Sequence, residues 1–148
     1  MRDLGIEADA ALVLSEFLQL ETTNVSVASL LYPLVGARVY TTDLPTGYDH
    51  AAAAVVIVID SDMSLGGSSV SKVRAQLRCY GGSDDEGDAV SVSLAARRQL
   101  RIATNERVAS GALLGATPGV NSGSLIKTPS GVRPFVLLYS DAVINPPD

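Results

Sequence analysis

Residues 70–100 read VSKVRAQLRCYGGSDDEGDAVSVSLAARRQL, and this stretch decides the fold. In its first third, Val73, Ala75, Leu77 and Cys79 alternate with Lys72, Arg74, Gln76 and Arg78. A period of two with one apolar and one polar face describes a strand lying on a core, its other face in water or against a partner. Gly81-Gly82 breaks the pattern, the acids Asp84, Asp85, Glu86 and Asp88 follow, and then comes an unbroken run of helix-tolerant residues. The stretch therefore predicts a strand, a tight polar loop and a helix folded back over the sheet.

Outward from this unit, Ile6 to Glu21 predicts a first helix, with Ala10, Val13, Leu14, Phe17 and Leu18 at helical spacing. Asp3, Glu7 and Asp9 place negative charge near its N-terminal end, where the helix dipole favours it. Thr22-Thr23-Asn24 offers caps for a second helix over Val25 to Tyr32, ending before Pro33 because the residue preceding proline is pushed out of the α region. Arg38 to Thr42 has strand composition. Ala53 to Asp60, containing VVIVI, is apolar on both faces and predicts a central strand covered on both sides. Ser61 to Ser69 predicts a Gly-rich hairpin loop, Thr104 to Gly123 an irregular strand and loop, and Ser124 to Lys127 a brief strand. Pro134 to Ile144 predicts the last strand, with Phe135, Leu137 and Tyr139 on one face and Val136 and Leu138 on the other. Strands in runs with segregated helices indicate an α+β fold: a mostly antiparallel sheet with two or three helices packed on one face. At 148 residues, residues 1–148 are expected to form a single domain.

Composition narrows the function classes. With no tryptophan and few aromatics, the core must be built from aliphatic side chains. A formal net charge of -5 argues against nucleic acid as the main partner. The longest apolar run, Ala51 to Ile59, is half of what a membrane helix needs, and the first residues carry acids where a signal peptide would carry bases. An intracellular origin is expected. The single cysteine excludes an internal disulfide, and its phase with Val73, Ala75 and Leu77 predicts a small buried core residue.

Catalytic signals are weak. His50 is the only histidine; no nucleophile-elbow pattern accompanies it, and a solvated loop residue is the simpler reading. Gly66 to Lys72 has glycines and a lysine but lacks the phosphate-loop ending and leads into a strand. The acids at 84–88 lack the alternation of a calcium loop and suit a helix start. No catalytic, cofactor-binding or metal-binding residue is therefore assigned. The residues expected at interfaces are Lys72, Arg74 and Arg78 on the strand, Asp84, Asp85 and Glu86 before the helix, and Arg97, Arg98 and Arg101 late in it. An acidic start and a basic end on one helix allow head-to-tail contact between copies.

The layout of these motifs resembles the tail terminator (tail completion) proteins of long-tailed bacteriophages. The matching residues are Val35, Gly36, Arg38, Val39 and Tyr40, corresponding to a Val-Gly-x-Arg-Val-Tyr element; Cys79, Tyr80 and Gly81 at a strand end before a helix; and a final strand over Phe135 to Val143. The resemblance spans about Leu12 to Ile144, with residues 104 to 131 longer and richer in Gly and Ser than the compact connection of that family. It implies a non-enzymatic virion protein without cofactors, assembled in the host cytoplasm. Such proteins form a ring, usually a hexamer, on the last ring of the tail tube, stop its growth and meet the head-side connector or stopper protein. DNA passes through such a ring without sequence-specific recognition. The Ser61–Ser69 loop and the Ala109–Gly123 segment are candidate contact arms by composition. The alternatives are another neck or head–tail connector component, a small hydrolase centred on His50 or the acidic cluster, and a cellular dimeric binding module.

Overall fold

The fold follows from how the period-two strands find partners on both edges. In the computed structural model, residues 9–24, 26–41, 44–45, 52–62, 70–82, 86–119, 124–126 and 135–145 are described. They form helices α1 (Ala10–Leu18), α2 (Tyr32–Val35) and α3 (Glu86–Arg101) and strands β1 (Val39–Thr41), β2 (Ala54–Asp62), β3 (Ser71–Tyr80), β4 (Glu106–Val108), β5 (Gly111–Pro118), β6 (Ser124–Ile126) and β7 (Phe135–Asn145). One sheet runs in the order β1-β2-β3-β7-β5-β4, with β6 also paired to β7. Every pairing is antiparallel except β1 with β2. The fold is α+β.

β3 and β7 occupy the middle and pair over their full length, from Ser71 opposite Ile144 to Tyr80 opposite Phe135. In β3 the residues Val73, Ala75, Leu77 and Cys79 are buried; in β7 they are Val136, Leu138, Ser140, Ala142 and Ile144. This is the alternation expected from the sequence. β2 lies one place in from the edge, so the central position expected for it belongs to β3 and β7. Its first half is indeed covered on both sides: Val55, Val56 and Ile57 are all fully buried. Beyond Ile59 a register shift inserts Asp60, and the end of the strand is exposed.

Helices α1 and α3 cover the same face of the sheet. Val13, Leu14, Phe17 and Leu18 from α1 and Ala89, Val92, Ala96 and Leu100 from α3 join the strand residues in one aliphatic core. Small residues on α3 let it sit close to the sheet. α1 is shorter than the predicted Ile6 to Glu21, whose first residues lie outside the described set. Asp9 is its N-cap, accepting from the Leu12 N–H at 3.1 Å, and Gln19 closes it.

The second predicted helix is not formed. Residues 26–31 make an irregular turn, with a bridge between Thr22 and Ala28 and Ser26 at φ 61°. The helix instead begins at Tyr32 with Pro33 in its first turn, where proline's missing N–H costs nothing and its fixed φ suits the helix. The Ser29 hydroxyl accepts from the N–H groups of Leu31 and Tyr32 at the helix start. Pro33 thus opens a helix where the sequence suggested a stop. Of Thr104 to Gly123, expected to be one irregular strand and a loop, the described residues 104–119 are more regular: β4 and β5 form a hairpin.

The residues matching the Val-Gly-x-Arg-Val-Tyr element have structural work. Val35 is buried, and Gly36 closes α2 at φ 55°. Arg38 donates from Nε to the Ala53 carbonyl at 2.8 Å and from a terminal nitrogen to the Leu34 carbonyl at 3.1 Å, joining α2 to the start of β2. Gly81, after β3, is equally constrained. A Cβ there would stand 2.6 Å from the Ala89 nitrogen and 2.6 Å from the Asp88 Cβ, so α3 is packed against bare backbone. Gly81→Ala must push the helix off the strand end; we expect a melting temperature lower by about 5–10 °C in a circular-dichroism melt.

Candidate interaction surfaces

Among the described residues, the sheet face turned away from the helices is exposed at Lys72, Arg74 and Tyr139 and closes toward Val56 and Tyr80, which are buried, and its polar side chains are laced across the two central strands. The register sets Arg74 opposite Asp141, Gln76 opposite Tyr139 and Arg78 opposite Leu137. Arg74 Nε lies 3.0 Å from Asp141 Oδ1, Gln76 Nε2 donates to the Tyr139 hydroxyl at 3.1 Å, and Arg78 Nε donates to Gln76 Oε1 at 3.2 Å. The hydrogen bond to Asp141, then that carboxylate's charge, raises the Arg74 pKa above its ordinary value. The Arg78 guanidinium stands 5.9 Å from the centre of the Phe135 ring, which packs against Tyr80 at 5.2 Å between centroids. These contacts hold long side chains along the pleat and make an ordered, mixed-charge surface. At one end, Asp60, Arg74, Thr117, Tyr139 and Asp141 line a hollow of about 460 Å³.

The helical side carries a different surface. On α3, Val90, Leu94, Arg98 and Arg101 succeed one another at helical spacing and are exposed. Beside them lie Val27, Leu30 and Leu34 from the turn and α2, also exposed. Two adjoining hollows of about 350 and 580 Å³ run between these elements and share Leu30, Arg98 and Arg101. Gln99 lines the smaller one, 2% exposed, its Nε2 without an acceptor among the described residues.

The interface residues expected from the sequence therefore divide between two surfaces. Lys72, Arg74 and Arg78 share the open sheet face. Arg98 and Arg101 lie in the last turn of α3, on the other side of the sheet, where the dipole favours them. Arg97, grouped with them in the sequence, is half-buried and donates to the Gly119 carbonyl at 2.9 Å, binding α3 to the end of β5. Asp84 and Asp85 lie outside the described residues, and Glu86 is the first residue of α3. His50 and most of the 61–69 loop lie outside them too. Among the described residues, no cluster of three histidine, cysteine or acidic side chains is placed to hold a metal.

Sequence reasoning missed three features. Buried Glu106 accepts from the Asn24 N–H with both oxygens, at 2.8 and 3.1 Å, fixing the connection after α1 onto β4. Tyr139 and Asp141 complete the open-face ladder; their alternation with Leu138 and Ser140 was the available signal. The meeting of Leu30, Leu34 and Leu94 left no signal, since the three are distant in sequence and each is ordinary alone.

No known family's sequence profile matches the chain, and no curated protein matches it either. Among solved structures, the fold is similar to that of a chain in the virion of a native gene transfer agent particle. The two superpose with a TM-score of 0.61 over 93% of this chain and 95% of that one, at 14% identity. At that identity the likeness is one of fold.

Proposed function

We propose that this chain is a structural virion protein of the phage-tail type: a ring-forming subunit that caps the tail tube, stops its growth and joins it to the head-side connector. The observation that carries the reading is the shared fold over nearly the whole of both chains with a component of a gene transfer agent virion. The motifs that resemble tail terminators support it from the sequence side, and Gly36, Arg38 and Gly81 hold the fold together where those motifs fall. No enzymatic step is assigned.

In this reading copies pack head to tail into a closed ring, each presenting one surface to a different surface of the next. The sheet face that carries Lys72, Arg74 and Arg78 is the subunit surface: Arg74 and Gln76 are held by partners on β7 and Arg78 by Gln76, so little rotamer entropy is lost by these side chains on contact. The nearest alternative is another neck or connector component on the portal side.

Light scattering of the purified protein, alone and with its tail tube protein, tests this. The expected result is a ring, near six-fold in mass, either free or on tube ends, and loss of that assembly in Arg78→Glu with the fold intact by circular dichroism. A stable dimer indifferent to tubes would sink the proposal; a ring that binds the portal side alone would transfer it to the connector alternative.

A further inference from the structure

We infer that the groove between α3 and the 27–34 segment is a docking site for an extended segment of a partner protein in which carboxylates alternate with leucine-like side chains. It lies across the sheet from the ladder discussed above, so the inference goes beyond the ring-forming role. Leu30, Leu34 and Leu94 are 51%, 40% and 53% exposed, and they wall one continuous groove, which is unusual for large aliphatic residues of a chain with a well-filled core. Arg98 and Arg101 rim it, and neither pairs with a carboxylate among the described residues. Among those residues no carboxylate lines either hollow, although the whole chain is acidic. Charge complementarity thus selects an acidic occupant.

Gln99 decides its form. A buried amide N–H without an acceptor among the described residues is a standing cost in the free protein, removed if the Gln99 side chain turns into the hollow it lines to meet an oxygen brought by a ligand. A flat protein face cannot enter the hollow that Gln99 lines, whereas a single strand of chain can. The carbonyls inside a helix are already taken by its own N–H groups, while those of an extended segment are available. An extended segment also sets alternate side chains toward Leu30, Leu34 and Leu94 and the others toward Arg98 and Arg101. The occupant is therefore extended, apolar on one side and acidic on the other.

The test uses the full chain and two fluorescein-labelled short peptides, one alternating leucine and glutamate, the other leucine and lysine, followed by anisotropy. The glutamate peptide is expected to bind at least about tenfold more tightly than the lysine peptide, with the preference lost in Arg98→Glu/Arg101→Glu. Leu94→Glu, on an exposed position and so harmless to folding, abolishes binding. Gln99→Leu weakens it by about tenfold without lowering the melting temperature, which separates a binding role from a structural one. Equal binding of both peptides, or of neither, overturns the inference. So does a fall in solution mass for Leu94→Glu, which would give the groove to a second copy of this chain; loss of assembly through the open face, by contrast, bears only on the ring-forming role.

Discussion

Leu77→Ala is expected to lower the free energy of unfolding by about 3–4 kcal/mol, the largest effect of any single truncation considered. Leu77 is 1% exposed at the middle of β3, with Ile57 and Leu138 beside it on the neighbouring strands and the helices above. Sheet pairing on both edges prevents the backbone from closing in, so a cavity remains in addition to the lost transfer energy. Urea unfolding followed by circular dichroism measures this. Leu94→Ala, on the exposed stripe of α3, is the comparison and should change stability by under about 0.5 kcal/mol. A loss under about 1 kcal/mol at Leu77 would mean that β3 does not carry the core.

Alkaline pH is expected to weaken the fold through Cys79. Burial among aliphatic side chains pushes its thiol up from 9.0 to about 12, because the thiolate cannot be solvated there. Below pH 9 the thiol is protonated in both states and its contribution is fully present. Above pH 9 the unfolded chain releases the proton while the folded chain keeps it, so stability falls by about 1.4 kcal/mol per pH unit until about pH 12. The quantity to measure is the difference between the wild type and Cys79→Ala, which isolates the thiol. That difference should shift against the wild type by about 2 kcal/mol between pH 9 and pH 11. A difference independent of pH would place the thiol in contact with solvent. The same burial predicts resistance of the native protein to iodoacetamide at pH 8.5, with labelling on addition of urea.

Both predictions concern residues of the core rather than of a surface. The residues matching the tail-terminator pattern are structural too: Gly36 turns the chain, Arg38 clamps two carbonyls, and Gly81 admits α3 against the strand end. Such motifs mark a fold, because close backbone approach and a left-handed turn tolerate few substitutions. What the fold binds is set by side chains elsewhere.

Much of the fold was legible because its elements repeat locally. The alternation in β3 and β7, the helical run in α3, the apolar VVIVI of β2 and the in-phase Cys79 each declare an element and its buried face within ten or so residues. The misreadings fall where local signals are ambiguous. Proline both ends and begins helices, and Pro33 falls in the first turn of one, where the Ser29 hydroxyl accepts from the Tyr32 N–H. Arg97 and Arg98 are neighbours in sequence, yet helical geometry turns one toward the end of β5 and leaves the other exposed. The sequence by itself determined the elements, the sheet's two faces and the α+β class, since periodicity and steric preference act between near neighbours. Only the tertiary structure decided that β7 inserts between β3 and β5, that Asp141 stands opposite Arg74, and that three separated leucines line one hollow and Gln99 the hollow adjoining it. Those contacts depend on which distant strand and helix wins each edge and face, a competition over the whole chain that no local pattern records.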